Sequence, residues 1–395
     1  MDIVIIAHFC LDFSDKDNGR FNYLANILSK DNNVELITTD FYHITKTKRE
    51  TIPQLSYKVT VLQEPGYPRN VCLRRFYSHY IWGKNLKKYL LKRKKPDIIF
   101  SAIPSLTGPY EAAKYCRKNN IPFIIDIQDL WPEAFQMVFN IPIVSQMVFS
   151  PFRFLANNIY KSANKICAVS DTYAKRALEV NSSCNKAEVV FLGTDLNVFD
   201  NYVKTSPKVR KGKSEIWIGY CGTLGSSYDI KIVIDALNII DNNDLRFIVM
   251  GNGPKQKEFE NYAKEKNVNV EFTGRLSYDV MCGILAHCDI VVNPIVHGAA
   301  QSIINKHADY AAAGKPIINT QENDEYRSLI ELYKMGYNCK NNDAKDIADK
   351  IILLLNNDEL KKYMGKNARK CAEELFNRKY TYKKILNLLQ SYRIE

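Results

Sequence analysis

Short runs of apolar, mostly β-branched residues alternate with longer segments of helical periodicity along the whole chain. In the first half these runs are IVIIAH, VELITT, YKVTVL, DIIFSA, PFIIDIQ, KICAVS and EVVFLG, and in the second half they are IWIGYCG, LRFIVMG, VNVEFTG, DIVVNPI and KPIINT. Such alternation predicts repeated βαβ units. The nearly continuous hydrophobicity of each run is typical of parallel strands covered by helices on both faces. We therefore predict an α/β protein built from doubly wound parallel sheets.

The length of 395 residues exceeds what one ordinary hydrophobic core accommodates. A polar, basic segment from Asn201 to Glu215, NYVKTSPKVRKGKSE, is the best candidate for a linker. Open parallel sheets bind ligands beyond the carboxyl ends of their strands, so we expect an active site in a cleft between two domains. The predicted parts are a first Rossmann-like domain at 1–203, a linker at 204–214, a second Rossmann-like domain at 215–376, and a helix at 377–395 that crosses back to the first domain.

The composition, 46% hydrophobic and 25% charged, is that of a globular protein. The start, MDIVIIAHFCLDF, has no basic n-region or small-residue cleavage site, and no apolar run reaches the roughly 20 residues of a membrane helix. We therefore expect a cytoplasmic location. The ten cysteines are scattered without a CxxC pair, which predicts buried thiols and neither a disulfide framework nor a zinc site.

The formal net charge of +12 is concentrated in one segment, because ten Lys and Arg residues fall within 69–95. Aromatic and aliphatic residues recur there at near-helical spacing, which predicts an amphipathic basic helix. A solvated helix face is one interpretation, and contact with an anionic membrane surface or a lipid phosphate is the other. No helix-turn-helix, RNA-recognition or zinc-finger pattern accompanies the charge, so we expect no nucleic-acid partner.

Three strand ends of the second half carry glycine turns. They are CGTLG, with Gly222 and Thr223, MGNGP, with Gly251 and Gly253, and FTGRLS, with Arg275. Glycine at the turn from a strand into a helix lets backbone N–H groups approach a phosphate, although such turns also serve chain reversal alone. Together they favour nucleotide binding. None is a GxGxxG followed by an acid about 20 residues on, so an NAD enzyme is disfavoured.

The stretch AAQSIINKHADYAAAGKP places Lys306 and Asp309 three residues apart, on a similar side of a helix. A cation for a diphosphate and an acid for ribose hydroxyls would then project from one helix start. Ser302 and Asn305 precede this pair and are further candidates for nucleotide binding. The alternative is a surface ion pair worth under about 1 kcal/mol.

In the first half, Gly19 and Arg20 open a helix after the first strand, where the turn would admit the phosphate of a nucleotide donor substrate or a second, acceptor substrate. Asp15 and Asp17 just before them form a DxD sequence. We expect no metal there, because Lys, Arg and helix dipoles neutralise phosphates in a protein of two Rossmann-like domains.

The segment FIIDIQDLWPEAF follows the fifth strand and carries several acids. Asp129 and Glu133 are candidates for orienting an acceptor or transferring a proton. The alternative is ordinary loop polarity, with Asp126 capping and Trp131 packing.

Taken in order, these pieces resemble the retaining glycosyltransferases of family 4, which have the GT-B fold. The matching segments are DNGRFNYLA, IIDIQDLWPE, ICAVSD, FLGTDLNVF, YCGTLG, VMGNGP, FTGRLS, CDIVVNP and NKHADYAAAGKP. The DLWPE element resembles the branch that builds bacterial capsule, O-antigen and exopolysaccharide units. The resemblance implies transfer of a hexosyl or N-acetylhexosaminyl group from a nucleoside-diphosphate sugar, with UDP as the expected nucleotide. The implied acceptor is a lipid-linked or growing surface glycan at the inner face of the plasma membrane, and no cofactor beyond the donor is implied.

The resemblance also assigns residues. The two acids of the family fall on Gln301, which would contact the transferred sugar, and Asp309, which would bind ribose. Lys306 matches a lysine of this branch, and Arg275 with the backbone of Leu276 falls in the base-binding loop. No protein nucleophile is implied.

Two alternatives stay open: a UDP-sugar 2-epimerase of the same fold, and a non-catalytic subunit of a glycan-assembly complex. Gln301 and the missing Arg/Lys pair between Thr223 and Asp229 motivate the second.

Overall fold

The computed structural model of the protein describes residues 1–13, 19–49, 52–136, 147–205, 209–299 and 302–393. Contacts divide the chain into two compact units. Unit 1 is Met1–Phe191 together with Tyr382–Glu395, and unit 2 is Leu192–Thr381.

Unit 1 contains a seven-stranded parallel sheet. Its strands are β1 (Asp2–Ile6), β2 (Asn33–Thr39), β5 (Lys58–Leu62), β6 (Ile98–Ile103), β7 (Phe123–Ile127), β8 (Lys165–Ala168) and β9 (Ala187–Val189). Their order across the sheet is β5-β2-β1-β6-β7-β8-β9. Strand order therefore reverses between β1 and β6, which is where doubly wound sheets place their ligands. All seven runs predicted for the first half form strands of this sheet.

Helices follow most of these strands. They are α1 (Arg20–Leu28), α2 (Leu73–Lys92), α3 (Thr107–Asn119), α4 (Glu133–Gln136), α5 (Ser150–Ser162) and α6 (Asp171–Leu178). A short antiparallel pair, β3 (Phe41–Tyr42) and β4 (Thr47–Lys48), follows β2. The predicted basic helix is α2, but its buried face includes the polar residues Arg75, Ser78 and His79 beside Trp82.

The end of the chain belongs to unit 1, as predicted. Helix α16 (Lys383–Gln390) buries Ile385 and Leu389 in the same core cluster as Ile3, Ile5 and Leu24. This return begins at Tyr382 and not at residue 377, because Thr194 N donates to Phe376 O at 2.8 Å and keeps the preceding residues in unit 2.

Unit 2 contains a six-stranded parallel sheet. Its strands are β10 (Ile216–Cys221), β11 (Leu245–Met250), β12 (Val270–Gly274), β13 (Ile290–Asn293), β14 (Ile317–Asn319) and β15 (Gly336–Asn338), in the order β12-β11-β10-β13-β14-β15. This is the Rossmann order 3-2-1-4-5-6. The sixth strand, β15, is not among the predicted runs, since it has only three residues and begins with glycine.

The helices of unit 2 are α7 (Leu196–Thr205), α8 (Ile230–Ile240), α9 (Gln256–Glu265), α10 (Tyr278–His287), α11 (Asn305–Ala312), α12 (Asp324–Tyr333), α13 (Ala344–Leu355), α14 (Asp358–Cys371), a π-helical turn (Ala372–Phe376) and α15 (Arg378–Thr381). The change of unit comes at Leu192, earlier than the expected end of the first domain at 203. The reason is that α7 packs on α10, within unit 2.

The predicted α/β class is confirmed: each unit is a doubly wound parallel sheet with helices. All ten cysteines carry free thiols, nine of them buried, as expected for core thiols. Over the described parts of the chain, no helix combines the length and apolar character needed to cross a bilayer.

Candidate functional site

Helix α11 follows the fourth strand of unit 2 and is anchored by its own side chains. The Tyr310 hydroxyl accepts from Cys221 N at 2.9 Å and donates to Val292 O at 3.1 Å, so the helix is fixed to the ends of β10 and β13. Those two strands flank the reversal of strand order. The residues from Lys306 to Ala312 are all buried. Polar side chains on α11 are therefore placed at the edge of the sheet where ligands of this fold bind.

Lys306 is a buried cation with an unusual environment. It is 6% exposed, and its Nζ has no hydrogen-bond partner among the described residues. The ammonium lies over the rings of Tyr228 and Tyr220, 4.1 and 4.5 Å from their centroids. Burial lowers the pKa of Lys306 to about 7. A buried ammonium that lacks an oxygen partner is suited to an anionic ligand.

Asp309 lies on the same helix and is equally buried. Its Oδ1 accepts from the Tyr278 hydroxyl at 2.7 Å, and that hydroxyl is also 2.7 Å from Thr194 Oγ1. Burial raises the pKa of Asp309 to about 6, and the hydrogen bond from Tyr278 partly opposes this rise. The surface ion pair considered for Lys306 and Asp309 is wrong, because both side chains are buried and Lys306 Nζ has no such partner.

The glycine turns after β10 and β11 pack backbone against backbone. Gly222 and Gly251 have φ of +145° and +148°, and a Cβ added at Gly251 would lie 1.9 Å from Gly222 O. A Cβ at Gly253 would lie 2.3 Å from Leu224 O. This close approach gives Gly251 and Gly253 a packing role. Gly222 also adjoins the buried cation, because its added Cβ would lie 3.7 Å from Lys306 Nζ.

The other candidates of unit 2 are less enclosed or are engaged elsewhere. Thr223, Arg275 and Asn305 are exposed, and Leu276 is half-buried. Ser302 is fully buried and its hydroxyl donates to Glu325 Oε2 at 3.1 Å. Three predicted positions lie outside the described residues: Gln301, and the DxD acids Asp15 and Asp17.

In unit 1, the structure gives Arg20 a structural task in place of the predicted ligand contact. Its Nε and NH2 groups donate to both carboxylate oxygens of Asp126, at 2.9 and 2.8 Å. The NH1 group contacts Val190 O, Phe191 O and the Tyr382 hydroxyl, each at 3.1 Å. Every nitrogen of this buried guanidinium is therefore occupied within the protein. Gly19 is the buried N-cap of α1 and has an ordinary φ of −76°.

Asp129 and Glu133 differ in their availability. Asp129 accepts from Leu130 N at 2.9 Å and from Trp131 Nε1 at 3.2 Å, and burial raises its pKa to about 6. A carboxyl with that pKa is suited to proton transfer near neutral pH. Glu133 is paired with Arg176, whose Nε donates to it at 2.7 Å. The ion pair gives Oε1 of Glu133 a structural partner, whereas its Oε2 is buried without a hydrogen-bond partner among the described residues, and the predicted role of Glu133 at the acceptor stays a prediction.

The structure adds a polar cluster that the sequence analysis missed. His8 follows β1, Glu64 follows β5, and His79 lies on α2; all three are buried. His8 Nε2 is 3.0 Å from Glu64 Oε1, and its Nδ1 is 2.7 Å from Ser105 Oγ. The available signal in the sequence was a polar residue at the end of the run IVIIAH and another two residues after YKVTVL.

Three atoms of His8, Glu64 and His79 lie within 4.8 Å of one another, a spacing that a metal ion could use. The Glu64 carboxylate, however, also accepts from Thr39 Oγ1 at 2.7 Å and Ser78 Oγ at 2.6 Å. Although burial alone would raise it, the interaction with His8 first, and then the hydrogen bonds from Ser78 and Thr39, lower the pKa of Glu64 to about 2. The hydrogen-bond network accounts for the arrangement.

Comparison with known proteins places this geometry in context. Residues 203–371 match the model of the family described as glycosyl transferases group 1. An uncharacterised glycosyltransferase of Methanocaldococcus jannaschii is 26% identical over 226 residues, 57% of this chain and 58% of that protein. The poly(ribitol-phosphate) alpha-N-acetylglucosaminyltransferase of Staphylococcus aureus is 25% identical over 238 residues, 59% of this chain and 46% of that protein. The chain therefore spans about half to three fifths of the length of these relatives.

Among solved structures, Anabaena HepE in complex with UDP superposes with a TM-score of 0.71 at 17% identity, covering 99% of this chain and 100% of that one. At this identity the likeness establishes the fold. The chain has the GT-B fold, and the segment that matches the group 1 model lies within unit 2.

Proposed function

We propose that this protein is a glycosyltransferase that moves a hexosyl or N-acetylhexosaminyl group from a UDP-sugar to a lipid-linked or growing surface glycan, with retention of configuration. The observation that carries the proposal is Lys306, a buried ammonium without an oxygen partner, beside the Gly222 turn and one helical turn from Asp309. A diphosphate supplies the oxygens that Lys306 lacks, and a ribose supplies hydroxyls to Asp309. The UDP-bound HepE structure favours a UDP-sugar donor, and the name of the staphylococcal relative favours an N-acetylhexosaminyl group.

In this proposal, each residue contacts one part of the donor. Lys306 stabilises the leaving diphosphate, and Tyr278 holds Asp309 in position for the ribose. Leu276 and Arg275 flank the base, and Gln301 faces the transferred sugar, both by resemblance to family 4. Nothing in this set acts as a nucleophile, so rate enhancement comes from positioning and from electrostatic stabilisation.

The acceptor side belongs to unit 1, where Asp129 has a pKa of about 6. Its carboxylate can orient an acceptor hydroxyl and take its proton at neutral pH. Replacement by Asn should lower the transfer rate while UDP affinity stays within twofold of the parent. Equal losses of rate and UDP affinity would contradict an acceptor role.

A thermal-shift screen against UDP-, GDP- and ADP-sugars tests the donor assignment, since a ligand that binds the native state raises its apparent stability. The expected result is stabilisation by a UDP-sugar and release of UDP when acceptor glycan is supplied, with the product's anomeric configuration read by NMR. Isomerisation of the sugar nucleotide without UDP release would instead identify a 2-epimerase. A protein that neither binds nor releases UDP, but associates tightly with another transferase, would be a non-catalytic subunit.

Contact with an anionic membrane completes the proposal, and a surface of unit 1 supports it. Leu73 is 87% exposed at the start of α2, and Met147 and Phe154 are exposed around α5. The two helices meet where Phe76 packs on Phe152, at 4.9 Å between ring centroids. Basic residues exposed along the same segment are Arg69, Arg74, Lys88, Lys92, Lys94 and Lys95. Exposed apolar groups beside basic residues fit a bilayer surface that contains anionic lipids.

Vesicle cosedimentation tests this contact. The parent should bind vesicles of phosphatidylcholine with 30% phosphatidylglycerol and not vesicles of phosphatidylcholine alone. The double variant Leu73→Glu/Phe154→Glu should lose most of the binding. Leu332→Glu, at a leucine of unit 2 that is 75% exposed, serves as the control. Equal binding by the double variant and the control would exclude this surface.

A further inference from the structure

Two buried side chains on α2 have ring or guanidinium nitrogens without a partner. Arg75 is 8% exposed and His79 is 3% exposed. Arg75 Nε and His79 Nε2 both lack a hydrogen-bond partner among the described residues. They are four residues apart and so lie on the same face of the helix. Each buried polar group left without a partner costs about 1–3 kcal/mol, so two at one place indicate a ligand.

The guanidinium of Arg75 is held by aromatic rings and not by a carboxylate ion pair. It lies over the rings of Trp131, Tyr67 and Phe9, 4.6, 5.5 and 5.6 Å from their centroids. Its NH1 donates to Asn70 O at 2.8 Å. The rings orient the guanidinium and exclude water from one side, which strengthens its attraction for an anion.

A second cation lies on the same aromatic wall. Lys46 Nζ is 5.0 Å from the centroid of Tyr67 and donates to the Asn70 side chain at 2.5 Å. Burial and the nearby Arg75 lower the pKa of Lys46 to about 8. His43 connects Lys46 to Tyr67, because its Nδ1 is 2.5 Å from the Tyr67 hydroxyl and 3.2 Å from Lys46 Nζ.

The acids of this region leave the cations available. Glu64 is fully engaged by His8, Thr39 and Ser78, and each oxygen of Asp129 accepts one hydrogen bond, from Leu130 N or from Trp131 Nε1. No salt bridge within 4.0 Å joins a described carboxylate to Arg75 or Lys46. The nitrogens without a partner therefore belong to Arg75 and His79. The ammonium of Lys46 also donates to His43 O, and it adds a positive charge beside them on the Tyr67 ring.

We propose that this cluster, made of Lys46, Arg75 and His79, binds a phosphate group of the acceptor substrate. A phosphate presents several oxygens in a tetrahedral arrangement, so it can accept from donors that approach from different directions, whereas a carboxylate accepts in one plane. Arg75 supplies a guanidinium edge, Lys46 a point charge and His79 a ring N–H. The assignment of the phosphate to an acceptor rests on the proposed function; the phosphate site itself does not.

Calorimetry on the full chain, saturated with UDP so that a donor site in unit 2 is filled, tests the cluster. The probes are α-glucose 1-phosphate and its neutral counterpart methyl α-glucoside. We expect the phosphate probe to bind the parent, and the neutral probe to bind at least tenfold more weakly. Arg75→Gln should weaken binding of glucose 1-phosphate at least tenfold. Arg117→Gln removes the same charge from an exposed position on α3 and should leave binding unchanged.

Because the Arg75 variant removes a buried side chain, Lys46→Gln at the half-exposed rim provides a second test, with an expected loss of three- to tenfold. Equal affinities for the charged and neutral probes would overturn the proposal. So would binding that is unaffected in both variants, or that disappears in the parent once UDP is saturating. Failure of UDP itself to bind would contradict the donor assignment instead, so the two failures are distinguishable.

Geranyl diphosphate, a prenyl diphosphate without a sugar, distinguishes the source of the phosphate. Tighter binding of this probe than of glucose 1-phosphate indicates a lipid-linked acceptor, and the reverse order indicates a soluble sugar phosphate. Either order supports the cluster provided that Arg75→Gln weakens the preferred probe.

Discussion

Replacing Lys306 with methionine should make the folded protein more stable while it weakens UDP binding at least tenfold. The side chain is 6% exposed, and burial lowers its pKa to about 7 from an ordinary 10.5. At about 1.4 kcal/mol per pH unit, the cost of keeping this lysine buried at pH 7 is roughly 4 kcal/mol. The rings of Tyr220 and Tyr228 attract the cation and offset about 1 kcal/mol each. We therefore expect a net stabilisation of about 2 kcal/mol, since methionine fills a similar volume without a charge.

The lowered pKa of Lys306 also determines how the stability of parent and variant changes with pH. Because the folded-state pKa lies below the unfolded value, the unfolded chain binds more protons than the folded protein between about pH 7 and 10.5. The parent thus gains stability as pH rises through that window. The advantage of Lys306→Met should be full at pH 7 and below, and should shrink towards zero near pH 10.5.

Thermal unfolding of parent and variant across pH 6–10 measures the effect. For a domain of this size, about 2 kcal/mol corresponds to a rise of roughly 4–8 °C at pH 7. Calorimetry with UDP should show a loss of at least tenfold in affinity, because charged hydrogen bonds to phosphate contribute about 1.5–3 kcal/mol. Lys350→Met is the matched control, since Lys350 also lies over a tyrosine ring of unit 2, that of Tyr337, but is only half-buried. A variant less stable than the parent at pH 7, with unchanged UDP affinity, would refute the reasoning.

Three further predictions concern the same residues and the corrected role of Arg20. UDP affinity should be highest between about pH 6 and 7, because Asp309 is ionised above its pKa of about 6 and Lys306 is protonated below about 7; a profile from pH 5 to 9 that is flat by calorimetry would contradict both assignments. Tyr278→Phe removes the 2.7 Å hydrogen bond to Asp309 and should weaken UDP binding about five- to tenfold, with thermal unfolding as the check that the fold is intact. Arg20→Met leaves Asp126 buried and unpaired, so it should cost about 3–5 kcal/mol in unfolding free energy, and Arg20→Met/Asp126→Leu should recover part of that loss. An Arg20 variant with parental stability but without UDP binding would return this residue to the ligand site.

The strands were predictable because their signal is local. Each buried parallel strand must be apolar on both faces, so all twelve predicted runs form strands of the two sheets. Three short strands were not predicted from the sequence, since two or three residues do not establish a period. They are Gly336–Asn338 and the pair Phe41–Tyr42 with Thr47–Lys48. The position of the boundary between the units was not predicted either, because it depends on the packing of α7 against α10 and not on local polarity.

The candidate site was predictable only in part. Spacing and resemblance identified Lys306 and Asp309 as candidates, but they did not predict that both side chains are buried. Lysine and aspartate are almost never fully buried without a partner. The rings that enclose Lys306 come from Tyr220 and Tyr228, which are more than 70 residues away in sequence. Arg20 had the sequence signal of a ligand contact, yet its partner Asp126 is 106 residues distant.

The sequence by itself determined the α/β class, the two parallel sheets, the return of the C-terminal helix and the helix that carries Lys306 and Asp309. Hydrophobic periodicity and glycine turns are properties of residues that are close in sequence, so they can be recognised without the tertiary structure. Only the tertiary structure decided which charged side chains face a partner and which are left without one. Arg20 is paired with Asp126, whereas Lys306, Arg75 and His79 are buried with polar atoms unmatched. That distinction depends on distance and burial across the fold, which local sequence does not encode.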